Sequence, residues 1–553
     1  MDIREAMAGG VLFFDGAMGT MIQNAGLKAG EQPEVYNMIH PEIIKSIHRS
    51  YLRAGADIIT TNTFGANEYK LKGTGYTVED IVERAVSLAK AVVGNGWVAL
   101  DIGPIGQLME PSGTLSFDEA YRAVERQVRA GEKAGADLVI IETIADLYEM
   151  KAAVLAVKEN SSLPIFCTLT YDGNGRTMMG TDPKAAINVL EGLGVDALGA
   201  NCSLGPKELL PIVDELLKYA HIPVIIQPNA GLPRLENGKT VFDTDSGEFA
   251  AFGKRMIEKG VRIIGGCCGT TPDFIRELKD RVKDIKISKS GVKPHRHTAV
   301  SSASNTVTIG GGVRIIGGRI NPTVGESVEK ALSEGDFDEV VSEAIEQKMA
   351  GADIIGINLG GDKSGANLEE AVREVQGLVN TPLLIDSSDP HAIEAAIRIY
   401  NGKGMIKGVD GGMDSMELIF PIAGKYGACV IGRTAYGAEV PQGADKRVKI
   451  AESILDKAVE YGIPREDILI DPLAVNGPIH REMYQETIRA IKEIKARFGL
   501  KTVLAIGNCS TEAADRDKEW IRLFLTEAIE AGLDCVIIDP LDEGMMEVIE
   551  PYR

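Results

Sequence analysis

Along the chain, short apolar runs rich in β-branched residues alternate with longer stretches whose apolar positions recur at helical spacing. That is the pattern of βα units laying down a parallel sheet. Eight such runs come first: Val11 to Asp15, Asp57 to Thr61, Trp97 to Asp101, Leu138 to Glu142, Ile165 to Leu169, Ala197 to Asn201, Val224 to Gln227 and Arg262 to Gly266. Gly55, Gly135 and Gly194, each in a Gly-Ala-Asp or Gly-Val-Asp triplet, mark the turn from a helix end into the next strand. The periodicity stops over residues 286–312, which are rich in Ser, Lys, Gly and His and read as a linker. His295 and His297 belong to this basic stretch rather than to a metal site. Eight further runs follow: Val313 to Gly317, Asp353 to Asn358, Leu383 to Asp386, Gly404 to Lys407, Ala428 to Ile431, Ile468 to Asp471, Thr502 to Ile506 and Cys535 to Ile538. The expected fold class is α/β, with two tandem (β/α)8 TIM barrels at residues 1–285 and 313–553 joined by the linker. An open doubly wound sheet is the alternative for either half, because periodicity does not show closure. A dinucleotide fold is disfavoured, since no Gly-x-Gly-x-x-Gly follows a first strand.

A chain of 553 residues is too long for one ordinary domain. Hydrophobic residues at 44% and charged residues at 25% describe a soluble globular protein, and the net charge of -21 argues against nucleic acid or an anionic membrane as partner. No apolar run reaches the ~18 residues of a membrane span, and Met1-Asp2-Ile3-Arg4-Glu5 lacks the basic start of a signal peptide. A cytoplasmic location is the expectation. Seven cysteines in so long a chain make no disulfide framework. Cys167, Cys429 and Cys535 fall inside apolar runs and read as small buried hydrophobes. Cys202, Cys267 and Cys268 instead stand at strand ends.

That placement changes the picture. In a barrel of this type the C-terminal strand ends form the active site, and the first half brings many polar residues there, among them Asp15, Thr60 to Thr63, Asp101, Glu142, Asn201, Gln227 and Asn229. Neighbouring side chains on a regular strand point to opposite faces, so Cys267 and Cys268 can serve one site only where the strand breaks into a loop, which Gly265, Gly266 and Gly269 allow. With Cys202 as a third soft ligand, the cysteines make most of a tetrahedral zinc site with one position open. Three thiolates leave divalent zinc a poor Lewis acid toward water but able to accept a further thiol, which suits thiol alkylation at neutral pH. A closed four-ligand zinc and free buried thiols are the competing readings.

The motifs Asp15-Gly-Ala-Met-Gly-Thr, Thr61-Asn-Thr-Phe-Gly-Ala, Asp101-Ile-Gly-Pro, Asn201-Cys-Ser and Gly265-Gly-Cys-Cys-Gly-Thr-Thr-Pro resemble the homocysteine-binding barrel of the cobalamin-dependent methionine synthases, a barrel shared with related zinc-dependent homocysteine methyltransferases. The resemblance covers essentially all of residues 1–285. It implies that Cys202, Cys267 and Cys268 ligate Zn2+, that homocysteine sulfur takes the open position, and that Asp15 and Glu142 hold the substrate ammonium group, with Asn229 a further contact.

The second half is similar to the folate-binding barrel of the same family and to pterin-binding methyltransferases, on the strength of Arg319-Ile-Asn321-Pro, Asn358, Ile385-Asp386-Ser, Ile470-Asp471-Pro, Gly507-Asn508 and Asp539-Pro-Leu-Asp. By that resemblance Asn321, Asn358, Asp386, Asp471 and Asn508 receive a pterin, whose amino-pyrimidinone edge suits carboxylate and amide partners. Four places depart from the family pattern. Gly318 replaces a glutamate, Gly356 an aspartate and Lys407 an amide, and Cys509-Ser510-Thr511-Glu512 replaces Ser-Phe-Gly after Asn508.

The family's cobalamin-ligand motif Asp-x-His-x-x-Gly is absent; Asp389-Pro390-His391 lacks the glycine, and His391 reads as an early helix residue. The expected function is therefore a methyltransferase that makes methionine from homocysteine. Its methyl group would come from methyltetrahydrofolate through a corrinoid, cobalamin, carried by another domain or protein. The rivals are a thiol methyltransferase with a different donor, whose second barrel binds no folate, and a non-catalytic zinc-binding scaffold.

Overall fold

The computed structural model describes all residues except 1–2, 29, 237–238, 286–295, 322–327, 329, 331–334, 361–364, 475–480 and 507–514. The chain divides into two compact units, Met1–Pro294 and His295–Arg553.

In the first unit, strands β1 (Leu12–Phe13), β2 (Ile58–Thr60), β3 (Trp97–Ile102), β4 (Leu138–Ile144), β5 (Ile165–Leu169), β6 (Ala197–Asn201) and β7 (Val224–Gln227) are followed by a small hairpin, β8 (Pro233–Glu236) and β9 (Lys239–Phe242), and by β10 (Ile263–Ile264). The parallel ladder runs β1-β10-β7-β6-β5-β4-β3-β2. A parallel bridge between Phe14 and Ile58 completes the ring, with the Asp57 amide donating to Phe13 O at 2.7 Å and the Asp15 amide to Ile58 O at 3.1 Å. The open-sheet alternative is therefore excluded for this half. The two-residue alternation of a strand sorts its side chains into layers. Ile58, Ala99, Ile140, Phe166, Ala197, Ile225 and Ile263 fill the barrel interior, and Ile3 and Met7 of the helix Ile3–Gly9 join the same cluster.

The Gly-x-Asp triplets do two jobs. Gly55, Gly135 and Gly194 have φ of 104°, 93° and 75°, the left-handed conformation that ends a helix. The aspartate two residues on then accepts a backbone N–H from the preceding strand: Asp57 from Phe13 (3.0 Å), Asp137 from Val98 (2.7 Å) and Asp196 from Ile165 (2.9 Å). The second unit repeats the device, with Asp353 accepting from Ile315 and Asp534 from Thr502, both at 2.9 Å.

The second unit is a closed parallel barrel of β13 (Arg314–Ile320), β14 (Ile354–Asn358), β15 (Leu383–Asp386), β16 (Met405–Val409), β17 (Cys429–Arg433), β18 (Ile468–Asp471), β19 (Lys501–Ala505) and β20 (Cys535–Ile538). Part of the stretch read as linker, 286–312, is built into it. Ala299–Ser301 (β11) and Thr306–Thr308 (β12) form an antiparallel hairpin, and Val300 and Ile309 lie in the same apolar cluster as the barrel residues Ile316, Met405 and Val503. The polar Ser-rich turn hid two apolar anchors too short to read as periodic.

Behind this hairpin Lys403 Nζ meets Asp467 Oδ1 at 2.6 Å, both side chains 8% exposed, and the Cys429 thiol donates to Ala299 O at 3.5 Å. Removing one member of a buried pair strands the other charge. Lys403→Met is expected to lower stability by about 3–5 kcal/mol, with a Lys403→Met, Asp467→Leu double variant recovering most of the loss in denaturant unfolding of the full chain. Among the described residues no helix is long and apolar enough to cross a membrane.

Candidate functional site

The inward layer of the first barrel turns polar at its C-terminal end. Two residues beyond the apolar layer, the same alternation points Thr60, Asp101, Glu142, Thr168 and Gln227 into the mouth, with Asn201 closing β6. Asn201 is buried and works as a hub. Its Oδ1 accepts from the Thr143 amide (2.8 Å) and the Thr168 hydroxyl (2.9 Å), and its Nδ2 donates to Thr143 Oγ1 (2.7 Å) and approaches Cys267 Sγ at 3.9 Å.

The cysteines are brought together by three local devices. Cys202 and Ser203 leave β6 with φ of 58° and 56°, a left-handed pair rare outside glycine, which swings the Cys202 thiol away from the strand course. The Cys267 amide donates to Pro228 O at 2.7 Å, and the Ala230 amide to Cys268 O at 2.9 Å, tying the double-cysteine loop to the end of β7. Gly266 has no room for a side chain, since a Cβ there would sit 2.4 Å from Thr270 Oγ1, which itself donates to Cys267 O at 2.6 Å. As a result the Sγ atoms of Cys202, Cys267 and Cys268 all lie within 4.8 Å of one another, with Cys202 to Cys268 at 3.8 Å. Cys268 is exposed and the other two half-buried, so the cluster opens outward.

Crowding couples the three sulfurs. Hydrogen bonds from the other two thiols, with Asn229 adding a smaller contribution, hold Cys202 well below the ordinary thiol range; the same contacts with Cys202 push Cys267 and Cys268 up. All three could ionise together only around a cation, and three soft sulfurs with an open side are a donor set that fits zinc.

Carboxylates share this rim. Asp15, 2% exposed, accepts from the Thr60 amide at 2.9 Å and hydroxyl at 3.1 Å, yet burial raises it from 3.8 to about 7. Glu142 is raised from 4.5 to about 8, chiefly by burial and then by Cys202 and Asp15. Asp101 is raised first by burial and next by Glu142. Asn229, beyond β7, keeps its Oδ1 buried without a hydrogen-bond partner, as do Asp101 Oδ1 and Gln227 Oε1. Asn201 and Thr143 emerge only from the structure as organisers of the mouth. Thr143 has φ 64° beside Glu142, a strain that sequence does not show.

Asp15 is costly to the empty fold. Its folded carboxyl releases its proton at higher pH than the unfolded one, so stability falls as pH rises from about 4 to 7 and the cost is complete above that. At about 1.4 kcal/mol per pH unit it is of order 4 kcal/mol. Asp15→Asn is expected to raise the unfolding midpoint of the metal-free chain at pH 8 and leave it unchanged at pH 4.

The second barrel's mouth holds a cavity of about 130 Å³ lined by Gly318, Asn321, Asn358, Asp386, Lys407 and Asp539, among others. Lys407 Nζ pairs with Asp386 Oδ2 at 3.2 Å on the neighbouring strand. Asp471, 1% exposed, accepts the Leu473 amide at 2.9 Å; burial raises its carboxyl, and Lys407 pulls it back down. Leu473, at φ 68°, is held by the buried Arg447, which donates to Pro472 O at 2.9 Å and Leu473 O at 3.2 Å. Asn358 accepts from the Gly360 amide at 2.9 Å. Gly356 has a steric reason: a Cβ there would stand 2.9 Å from Gly317 O. Asn508 and Thr511 lie outside the described residues.

Residues 12–282 match the model of the homocysteine S-methyltransferase family, and residues 317–539 that of pterin binding enzymes. Over 97% of its length the chain is 29% identical to the methionine synthase of Mycobacterium leprae and 28% identical to that of Mycobacterium tuberculosis, covering 48% of each. It thus spans about half the length of these curated relatives. Among solved structures, the homocysteine methyltransferase MmuM from Escherichia coli, in metallated and oxidized forms, matches 49% of this chain and 96% of its own at 24% identity and a TM-score of 0.44.

Proposed function

We infer, from a chain in which a homocysteine S-methyltransferase domain at residues 12–282 precedes a pterin-binding domain at 317–539, that the first barrel methylates the sulfur of homocysteine. The observation that carries this reading is the convergence of three cysteine sulfurs within 4.8 Å on an open rim shared with Asp15 and Glu142. Cys202, Cys267 and Cys268 would hold Zn2+, which when bound supplies a soft cation that keeps a substrate thiol ionised near neutral pH. Asp15 and Glu142 bind the ammonium group, a natural partner for two carboxylates whose burial otherwise opposes their charge. Asn201 fixes the strand end that presents Cys202, and the Thr143 turn beside it orients Glu142.

For the second barrel we propose methyltetrahydrofolate as ligand, with Asn321, Asn358, Asp386, Asp471 and Asn508 as its contacts. Named methionine synthases about twice as long as this chain match it across both barrels, which supports a route in which the methyl group passes to homocysteine. A corrinoid carried by another domain or protein would convey that methyl group. The Lys407–Asp386 pair favours a second reading, in which this mouth takes a different methyl donor, because a lysine only donates hydrogen bonds where an amide both donates and accepts. Separate half-reactions decide. The zinc-loaded chain should methylate homocysteine from free methylcobalamin and should demethylate methyltetrahydrofolate with free cob(I)alamin. Success of the first alone establishes the alternative donor, and failure of both leaves a zinc-binding scaffold.

A further inference from the structure

We propose that Asp101 joins Asp15 and Glu142 in selecting a thiol that bears an amino group, an inference that rests on the homocysteine reading above. Asp101 closes the inward-facing row of β3 two residues after Ala99, a member of the interior apolar layer. Its side chain therefore belongs to the floor of the mouth. Register places Asp101 beside Ile140 on β4, from which Glu142 is the next inward position. The carboxylates of Asp15, Asp101 and Glu142 thus descend from β1, β3 and β4 around one side of the mouth.

Asp101 differs from Asp15 in that its buried carboxyl oxygen Oδ1 meets no hydrogen-bond donor, with the charge of Lys70 favouring the ionised form of the group. Asp15 already accepts the amide and hydroxyl of Thr60. At Asp101 the threonines take the backbone instead. The Thr61 hydroxyl meets the Asp101 amide at 3.1 Å, and the Thr63 hydroxyl donates to Asp101 O at 2.7 Å, leaving the carboxyl uncommitted. The residue is 6% exposed and its Oδ1 is buried without a hydrogen-bond partner. Such an acceptor is destabilising, more so when charged, unless a ligand donor meets it. Gln227 Oε1, on the floor across the barrel, is in the same condition. Unpaired acceptors in the inward row of the barrel that carries the three sulfurs call for a ligand with several donors at one end and a thiol at the other. An alkylammonium offers three N–H donors and a positive charge. A site built around such a group rejects the analogue lacking it far more strongly than a site that merely fills space.

The test pairs homocysteine with 4-mercaptobutyrate, which has the same chain, carboxylate and thiol but no amino group. With the zinc-loaded 553-residue chain and methylcobalamin, KM for homocysteine should lie at least 10-fold below that for 4-mercaptobutyrate. Asp101→Asn should raise KM for homocysteine at least 10-fold, leave KM for 4-mercaptobutyrate unchanged and keep zinc content at the wild-type value. Calorimetric titration of both thiols should show the same split in affinity. Equal losses with both thiols, or none with either, would overturn the role of Asp101. Equal use of both thiols by the wild-type chain would overturn it regardless of how the variant folds. A wild-type chain that methylates neither thiol would instead remove the homocysteine reading itself.

Discussion

Cys267→Ala or Cys268→Ala is expected to abolish stoichiometric zinc binding and to slow homocysteine methylation from methylcobalamin by about three orders of magnitude. A free thiol with an ordinary pKa of about 8.5 is only a few per cent ionised at neutral pH, and it is the thiolate that attacks. Positioning a cation against the reacting sulfur is worth several kcal/mol, and about 1.4 kcal/mol is a factor of ten in rate. The loop itself should survive the change, because its course is set by backbone bonds from Cys267 to Pro228 and from Ala230 to Cys268, and by the Thr270 hydroxyl on Cys267 O. Metal analysis and initial rates on the same preparation check the result. Turnover near the wild-type rate without zinc would show that the sulfur cluster is incidental.

Asp471→Asn should weaken methyltetrahydrofolate binding by about 10- to 100-fold, the effect expected for loss of one charged hydrogen bond, while homocysteine methylation from methylcobalamin stays at the wild-type rate. Asp471 is 1% exposed at the end of β18, where burial raises its carboxyl and Lys407 opposes that rise. An asparagine can still accept the Leu473 amide that Asp471 holds at 2.9 Å, so the turn after β18 should keep its shape. Fluorescence titration of the full chain with methyltetrahydrofolate provides the measurement. Unchanged affinity would place the ligand elsewhere or rule out a pterin.

Sixteen barrel strands were visible as apolar runs because parallel strands buried on both faces need near-continuous hydrophobic residues, as in Ile165-Phe166-Cys167 or Ile468-Leu469-Ile470. The Gly-x-Asp triplets were legible as helix ends through the glycine. The aspartate's bond to the preceding strand was not, since it spans residues such as Asp57 and Phe13 that are far apart in sequence. The cysteine site was readable from composition at strand ends, Gly265 to Gly269 above all. What sequence could not supply was which neighbours stay unpaired: Asp101 and Gln227 look like Asp15 until their hydrogen bonds are traced. The hairpin at 299–308 escaped because its apolar content is confined to Val300, Val307 and Ile309 within a polar stretch. In the second mouth, Lys407 signalled a departure, whereas its pairing with Asp386 depends on strand register.

The central claim is that the three cysteines hold zinc with a position left for substrate sulfur. Zinc K-edge X-ray absorption on the zinc-loaded chain, recorded with and without homocysteine, tests it most directly. The account predicts three sulfurs and one lighter atom around zinc in the free protein, and four sulfurs once homocysteine is added. Four sulfurs before any substrate, or a sulfur count that homocysteine does not change, would contradict it.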